Sequence, residues 1–377
     1  MISPGDFFDI LKNHGVEFFS GVPDSLLKDI CAYITDNTSE ENHIITANEG
    51  NAVAIGIGHY LATKKVPLIY FQNSGIGNII NPTLSLADPD VFSIPLLLII
   101  GWRGEPGTMD EPQHIKQGKV TTKLLETMGV PYSILSENTS KIELNHIVNK
   151  MLKIAYEKSG PSAILVRKGA FDKYKLQNDK QLIRELNREQ AIELVVNELG
   201  VKDIVVSTTG MASRELFEYR KKLSQGHEKD FLTVGGMGHS SQIALGVSIA
   251  KKNRNVYCID GDGSLLMHMG SLAINGNVGG ANFKHIIINN NAHDSVGGQP
   301  TVAGKIDIQS IAIASGYHWS KQVTTRQEIK DAIKEMNIAP GPALLEIQVK
   351  KGSRSDLGRP TNTPDQNKTL FMDFIKE

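Results

Sequence analysis

Val256-Tyr-Cys-Ile-Asp-Gly-Asp-Gly-Ser264 decides the fold, together with Asn289-Asn290-Asn291 at the end of the next apolar run. Residues 256–260 read as a buried strand, because the run is short and apolar. The strand enters a Gly-Asp-Gly turn and then a helical stretch from Leu265. Glycines at 261 and 263 let backbone N–H groups approach a phosphate, and a helix N-terminus adds a favourable dipole. Asp262 is the wrong group for a phosphate alone. A hard carboxylate suits a metal held between protein and phosphate. Twenty-five residues separate Gly263 from Asn289, about the length of a helix and the next strand of a βαβ unit. Such a unit brings together the carboxyl ends of two parallel strands, where open α/β sheets place their ligands. A Gly-Asp-Gly turn alone is common in purely structural loops. The turn, the spacing and the asparagines together are far more specific.

The same pattern fills the rest of the chain. Strand-like runs occur at residues 17–20, 43–46, 67–72, 95–100, 131–135 and 163–167. A second set occurs at 204–207, 231–234, 256–260, 285–289, 317–320 and 343–349. Most are continuously apolar, as expected of parallel strands covered on both faces. Segments between them, such as 123–128 and 307–315, carry helical spacing. The fold class is therefore α/β, with two doubly wound, mainly parallel-sheet domains. Gly160-Pro-Ser-Ala-Ile-Leu-Val-Arg-Lys-Gly169 echoes Gly341-Pro-Ala-Leu-Leu-Glu-Ile-Gln-Val-Lys-Lys-Gly352, which suggests that the halves are structural duplicates. The expected division is a domain at 1–170, a polar linker at 171–187 and a domain at 188–377. The last of these ends in a basic tail and a short helix at 369–376.

The 377 residues carry 40 Lys+Arg and 41 Asp+Glu, a formal net charge of -1. That balance argues against nucleic acid or a membrane surface as the main partner, since both select for clustered positive charge. The longest apolar run, 94–100, is far below the ~20 residues of a membrane span. The first fifteen residues lack the basic-then-apolar order of a secretory signal. Cys31 and Cys258 are the two cysteines, each in an apolar stretch without metal-ligand spacing. Reduced thiols and a cytoplasmic location are expected.

Gly-Asp-Gly followed at this distance by paired asparagines resembles the thiamine diphosphate-dependent enzymes, and the resemblance covers essentially the whole chain. It implies a pyrimidine-binding domain at 1–170 and a diphosphate-binding domain at 188–377, with thiamine diphosphate and Mg²⁺ as cofactors. By the resemblance, Asp262, the Asn290 side chain and the Ala292 main-chain carbonyl are the metal ligands. The register is ambiguous by one residue, so Asn289 stands as the alternative to Asn290. Gly261, Gly263 and Ser264 would line the diphosphate. Gly235-Gly-Met-Gly-His239 would embrace the rings, with the Gly235 carbonyl on the exocyclic amine, Met237 as a wedge, and Gly238 and His239 beside it. Read without the resemblance, that segment is a tight turn with a core methionine. Glu49, in Ala47-Asn-Glu-Gly-Asn-Ala-Val-Ala-Ile-Gly56, matches the carboxylic acid that meets the pyrimidine nitrogen and serves acid–base chemistry through the cofactor. Burial there should raise its pKa. The competing role is a helix-start glutamate favoured by the dipole.

Within that family the chain is most similar to the two-domain phosphonopyruvate decarboxylase family. The likeness rests on Ser20-Gly-Val-Pro-Asp-Ser-Leu-Leu27, Gln72-Asn-Ser-Gly-Ile-Gly-Asn78, Gly101-Trp-Arg-Gly-Glu-Pro-Gly107 and Asp110-Glu-Pro-Gln-His114. Asn291-Ala-His-Asp-Ser-Val-Gly-Gly-Gln-Pro-Thr301 and Ser353-Arg-Ser-Asp-Leu-Gly-Arg-Pro360 complete it. The resemblance implies decarboxylation of phosphonopyruvate to phosphonoacetaldehyde in phosphonate biosynthesis. It also implies a homo-oligomer, at least a dimer, with the active site between subunits. Two positions depart from the pattern. His114 stands alone where pyruvate decarboxylases carry adjacent histidines, and Asn291 replaces the glycine expected after the asparagine pair. Asp24 and His114 are the further catalytic candidates. For Asp24 the competing role is the N-cap of a helix at 25–30. A substrate with nearly three negative charges needs cations, preferably an arginine fork. Arg103, His114, His293, Arg354 and Arg359 are the candidates, each also plausible as a surface charge. The alternatives are a sulfopyruvate decarboxylase, an acetolactate synthase-like carboligase and a thiamine diphosphate-binding regulatory protein. Glu49 speaks against the last, because a mere binder has no use for that acid. No G-x-G-x-x-G follows the first strand, which disfavours a nicotinamide enzyme.

Overall fold

The chain is described from a computed structural model covering residues 1–177 and 183–376. It divides into two compact units, Met1–Asp179 with Val296–Gln299, and Lys180–Ser295 with Pro300–Glu377. The first unit holds strands β1 (Phe19–Gly21), β2 (His43–Ile45), β3 (Leu68–Gln72), β4 (Leu96–Gly101), β5 (Tyr132–Leu135) and β6 (Pro161–Val166). The second holds β7 (Ile204–Ser207), β8 (Asp230–Leu232), β9 (Val256–Gly261), β10 (Phe283–Asn289), β11 (Trp319–Val323) and β12 (Ala343–Gln348). Every expected strand has its counterpart.

All pairings within both sheets are parallel. The orders are β2-β1-β3-β4-β6-β5 and β11-β12-β10-β9-β7-β8. Counted within its own unit, each sheet runs 2-1-3-4-6-5, so the halves share one topology. The Gly-Pro echo opens the sixth strand of each, β6 and β12. Alternate residues feed opposite cores. In β4, Leu97 and Ile99 join one cluster while Leu96, Leu98 and Ile100 join the other. In β9, Tyr257 and Ile259 face one side and Val256 and Cys258 the other. Burial on both faces is why these strands read as unbroken apolar runs.

Helix starts follow capping chemistry. Asn48 accepts the Asn51 N–H at 3.0 Å ahead of Glu49–Thr63. Reciprocal capping boxes at Asn187/Gln190 and Thr325/Glu328 open Arg188–Asn197 and Arg326–Ile338. Four local expectations are corrected. The helix after the Gly-Asp-Gly turn begins at Asp262, not Leu265, and two short helices, Asp262–Met267 and Ser271–Val278, fill the crossover. The helix after β1 begins at Lys28, so Asp24 is not its N-cap. The terminal helix is longer than 369–376, running Pro364–Lys376, and it packs through Phe371 while Leu370 stays exposed. Cys258 is not in a purely apolar setting, because its sulfur lies within 4.8 Å of ligand atoms on Asp260 and His285.

Part of the expected linker 171–187, residues 178–182, lies outside the described residues. Its flanks are packed rather than free. Phe171 is buried and bridges Ile2, and Tyr174 bonds Asp29 and Asp36. Leu186 is buried in the second unit, where its carbonyl accepts the Lys350 N–H. No helix among the described residues is long and apolar enough to cross a membrane.

Candidate active site

In the first unit the polar groups gather at the carboxyl ends of β1, β2, β3 and β4. Glu49 is the first residue of its helix and only 5% exposed. Its Oε2 accepts from Asn78 Nδ2 at 2.6 Å. Gly75 packs flat against the same carboxylate, and a methyl group there would collide with it. Burial raises the Glu49 pKa, against the opposing pull of the Asn78 bond.

Asp24 follows β1 and is fully buried. Its carboxylate accepts from Gln72 Nε2 at 2.6 Å and from the Leu26 N–H at 3.0 Å. It therefore stabilises the turn ahead of the helix and reaches the end of β3. Burial raises its pKa, with those hydrogen bonds opposing. Arg103, two residues past β4, donates to Ser25 Oγ at 2.7 Å and clamps Asp110 with both edges of its fork. At Asp110, burial opposes ionisation, but the bonds from Arg103 and from the N–H groups of Glu111 and Gly104 hold the carboxyl below its usual range. His114 is half-buried in the first turn of Pro112–Thr127. Burial and the Arg103 charge lower its pKa.

In the second unit the corresponding edge is made of turns. Gly235, Gly236 and Gly238 have φ of 69°, 58° and 88°, a left-handed path that other residues rarely follow. Ser264 Oγ accepts the Gly238 N–H at 3.0 Å and the Thr208 hydroxyl at 3.1 Å. This serine thus joins the Gly235–His239 loop to the Gly-Asp-Gly turn. A methyl on Gly263 would lie 3.3 Å from the His293 ring and 3.9 Å from Met237 Cε, so Met237, Gly263 and His293 are neighbours. Burial pushes the His293 pKa down to about 4, which leaves a neutral imidazole near neutral pH. His239 is exposed and stacks on His268 with centroids 4.4 Å apart. The space in front of Gly261 is open.

The residues fit a cation. Asp262 is 3% exposed, yet among the described residues it has no cationic partner, and its Oδ2 accepts from the Thr301 hydroxyl at 2.6 Å. Burial raises its pKa to about 6, against the opposing bonds from Thr301 and the turn's backbone. Asn289 commits its amide to the sheet. Its Nδ2 donates to buried Glu346 at 2.7 Å and its Oδ1 accepts the Asn291 N–H at 2.9 Å. Asn290 lies in the turn beyond β10, with Oδ1 accepting the Ala292 N–H at 3.0 Å. The departure at Asn291 has a local cause. Its φ is 58°, a left-handed position that asparagine tolerates better than most side chains, so it substitutes for glycine.

The other buried cluster, Cys258, Asp260 and His285, lies on β9 and β10. His285 Nδ1 meets the Tyr317 hydroxyl at 3.0 Å and Asp260 accepts the Gly261 N–H at 2.9 Å, so it forms an internal polar network beneath the turn. The tail does not present a free arginine at 354. Arg354 pairs with Glu189, Glu218 and Asp356. The Gly358 N–H also donates to Glu218, at 2.7 Å. Sequence reasoning assigned no role to Gln72, Asn78, Asp110, Thr301 or Asp294. Gln72, Asn78 and Thr301 lie 48, 29 and 39 residues from the groups they hold, and no local pattern marks the pairing.

Two family models match the chain. One describes a thiamine pyrophosphate enzyme N-terminal TPP binding domain at residues 6–124, the other a C-terminal TPP binding domain at residues 208–347. Among similar proteins is a phosphonopyruvate decarboxylase of Streptomyces viridochromogenes, 31% identical over all of this chain and 95% of that protein. A phosphonopyruvate decarboxylase of Streptomyces hygroscopicus matches with the same identity and coverage. A sulfopyruvate decarboxylase of Methanosarcina acetivorans is 27% identical over 95% of this chain and 92% of that protein.

Proposed function

The chain belongs to the thiamine pyrophosphate enzymes, in their phosphonopyruvate decarboxylase group, and from that membership we propose that it decarboxylates 3-phosphonopyruvate to phosphonoacetaldehyde and CO₂. The observation that carries this reading is the 31% identity to two phosphonopyruvate decarboxylases across the whole chain. Thiamine diphosphate, when bound, supplies the nucleophilic carbon and the electron sink that release of CO₂ from a 2-oxo acid requires.

The chain's own residues take the remaining tasks. Asp262, the Asn290 side chain and the Ala292 carbonyl would hold Mg²⁺, as a hard oxygen donor set. Glu49 offers the cofactor one carboxyl oxygen while Asn78 holds the other, and its raised pKa favours the protonated form. Asp24 and His114 serve proton transfer at the substrate end. Arg103 reads the phosphonate. It lies beside Ser25 and has one carboxylate on its fork, whereas Arg354 has three around it. His293 and Arg359 remain secondary candidates. The protein is proposed to act as a homo-oligomer, at least a dimer, in which Glu49 of one copy and Asp262 of another serve one cofactor. Mixing the inactive Glu49→Gln and Asp262→Ala proteins should then restore partial activity after subunit exchange. Both cysteines are free and buried, which supports the cytoplasm as the proposed location, and phosphonate biosynthesis is the setting proposed from the likeness to phosphonopyruvate decarboxylases.

The deciding experiment is an assay of CO₂ and aldehyde release from phosphonopyruvate, sulfopyruvate and pyruvate, with and without cofactor and Mg²⁺. Turnover of phosphonopyruvate above the others is expected. Turnover of sulfopyruvate alone would establish the second reading, which the 27% relative supports.

A further inference from the structure

We propose that Asp294 is a positioning residue for the metal loop, fixed by Arg188 and by the start of the C-terminal tail, and that it sets which end of the Asn290 amide is left for Mg²⁺. The inference rests on the reading that Asp262 and Asn290 hold the metal. Asp294 Oδ2 accepts three bonds within the second unit. They come from Arg188 Nη1 at 3.1 Å, the Gly352 N–H at 3.0 Å and Asn290 Nδ2 at 3.3 Å. An acceptor can face only the NH₂ end of an amide, so this contact commits the Asn290 nitrogen. Oδ1 is the end that remains, and a carbonyl oxygen has a second lone pair beyond the one given to the Ala292 N–H.

Asp294 is itself anchored firmly. Arg188 is 8% exposed and grips Glu215 with two bonds, at 2.8 and 2.9 Å, before its third edge reaches Asp294. A planar fork locked on one carboxylate fixes the direction of its remaining N–H. Arg188 opens the helix Arg188–Asn197, Glu215 lies in Met211–Lys222, and Gly352 follows β12. The helix of Arg188 and the segment after β12 thus meet on one side chain five residues past β10, with Met211–Lys222 bracing Arg188 through Glu215. One of the three donors on Oδ2 is the Asn290 amide, so Asp294 acts on the site through Asn290. The tail serves the site through the Gly352 backbone while Arg354 is spent on carboxylates.

The test is equilibrium dialysis of labelled thiamine diphosphate against the full-length protein over a series of Mg²⁺ concentrations, with the melting temperature of the ligand-free protein read alongside. For Asp294→Ala the Mg²⁺ needed for half-maximal cofactor binding should rise about 10–100-fold, as for other groups that orient a metal ligand. The ligand-free melting temperature should stay near that of the wild type. Asp294→Asn keeps an acceptor oxygen but loses the charge pair with Arg188, and its Mg²⁺ requirement should fall between the two. An unchanged requirement in both variants, with Asp262→Ala unable to bind, overturns the role of Asp294 and leaves the metal site standing. An unchanged requirement in Asp262→Ala as well overturns the metal reading itself. If Asp294→Ala melts early, Asp294→Asn decides, and a wild-type requirement there counts against the proposal.

Discussion

The two units run their strands in the same 2-1-3-4-6-5 order, yet they use the carboxyl edge of that sheet in opposite ways. The first unit places side chains there. Glu49 with Asn78, Asp24 with Gln72 and Arg103 with Ser25 pair across 29, 48 and 78 residues of sequence, and Asp110 clamps Arg103 from 7 residues on. The second unit places backbone there, through the Gly235–Gly238 path, the Gly261–Gly263 turn and the left-handed Asn291. Acid–base chemistry needs carboxyl groups with shifted pKa values, which burial and partners supply. Holding an anionic group and a cation needs N–H groups and oxygen donors at fixed positions, which short glycine-rich turns supply. On the proposed function, one topology carries two chemistries, because the sheet fixes only where the loops emerge.

The sharpest break between the units should come from Asp262→Ala. It removes the charged ligand of a hard cation, so cofactor binding and turnover should both vanish at low cofactor concentration, and EDTA should mimic the loss until Mg²⁺ is restored. Full activity of this variant would remove the metal from the second unit's account. Glu49→Gln should separate the two tasks. Cofactor binding stays within about tenfold while turnover falls roughly 10²–10⁴-fold, the usual range for a lost acid–base group. Cofactor loss as large as that of Asp262→Ala would mean that the first unit also works by binding.

Arginine substitutions come next in size. Arg103→Ala removes a charge-assisted bond of about 1.5–3 kcal/mol, or roughly 10–150-fold in kcat/KM. The loss should be large on phosphonopyruvate and small on pyruvate, which lacks the phosphonate. Arg354→Ala should instead act equally on both substrates and by only a few-fold, because its partners are protein carboxylates. Parallel kinetics on the two substrates distinguish a substrate reader from a fold contact. A smaller contrast lies in the backbone. Gly75→Ala pushes a methyl into the Glu49 carboxylate and should lower turnover by about tenfold, as a small misplacement of a catalytic group does. Asn291→Gly in the second unit keeps the left-handed φ and should be nearly neutral in activity.

The difference between the units also explains what could be read in advance. The alternation of short apolar runs and helical spacing revealed all twelve strands, since burial on both faces leaves an unbroken apolar signature. The turn proposed for the metal was legible as a motif because its parts are adjacent, with Gly261, Asp262 and Gly263 in a row and the asparagines one crossover later. Glu49 and Asp24 could be named only through resemblance. Nothing around Gln72 says that its amide will reach Asp24, and nothing around Asn78 says that it will meet Glu49. Those pairings depend on strand order, which no local pattern carries. The helix start at Asp262 was misplaced because a glycine on each side reads as a loop, whereas the tertiary site overrides that propensity. The partners of Arg354 were hidden for a related reason. Arginines five residues apart in a polar tail look free until Glu189 and Glu218 are brought beside them.

The smallest expected effect concerns stability and tests whether Glu49 is held for chemistry rather than for the fold. Its folded-state pKa is raised because burial disfavours the charged form. A carboxyl group raised in this way binds its proton more tightly in the folded state than in the unfolded one. Between the two pKa values the folded state carries more protons, so stability falls as pH rises through that window. The contribution is fully present below the unfolded pKa and lost once pH passes the folded one. Glutamine at 49 cannot ionise, and by turning its amide it can still present an oxygen to Asn78. The ligand-free Glu49→Gln protein should therefore melt above the wild type at pH 8, by about 2–4 °C if the relief is near 1 kcal/mol for a unit of this size. At pH 4 the two proteins should melt together, because both are neutral at 49. A gap of the same size at both pH values would trace the effect to packing. A wild type more stable than the variant at pH 8 would mean that the Asn78 bond, rather than burial, governs this carboxylate, and that the first unit is not strained for its task.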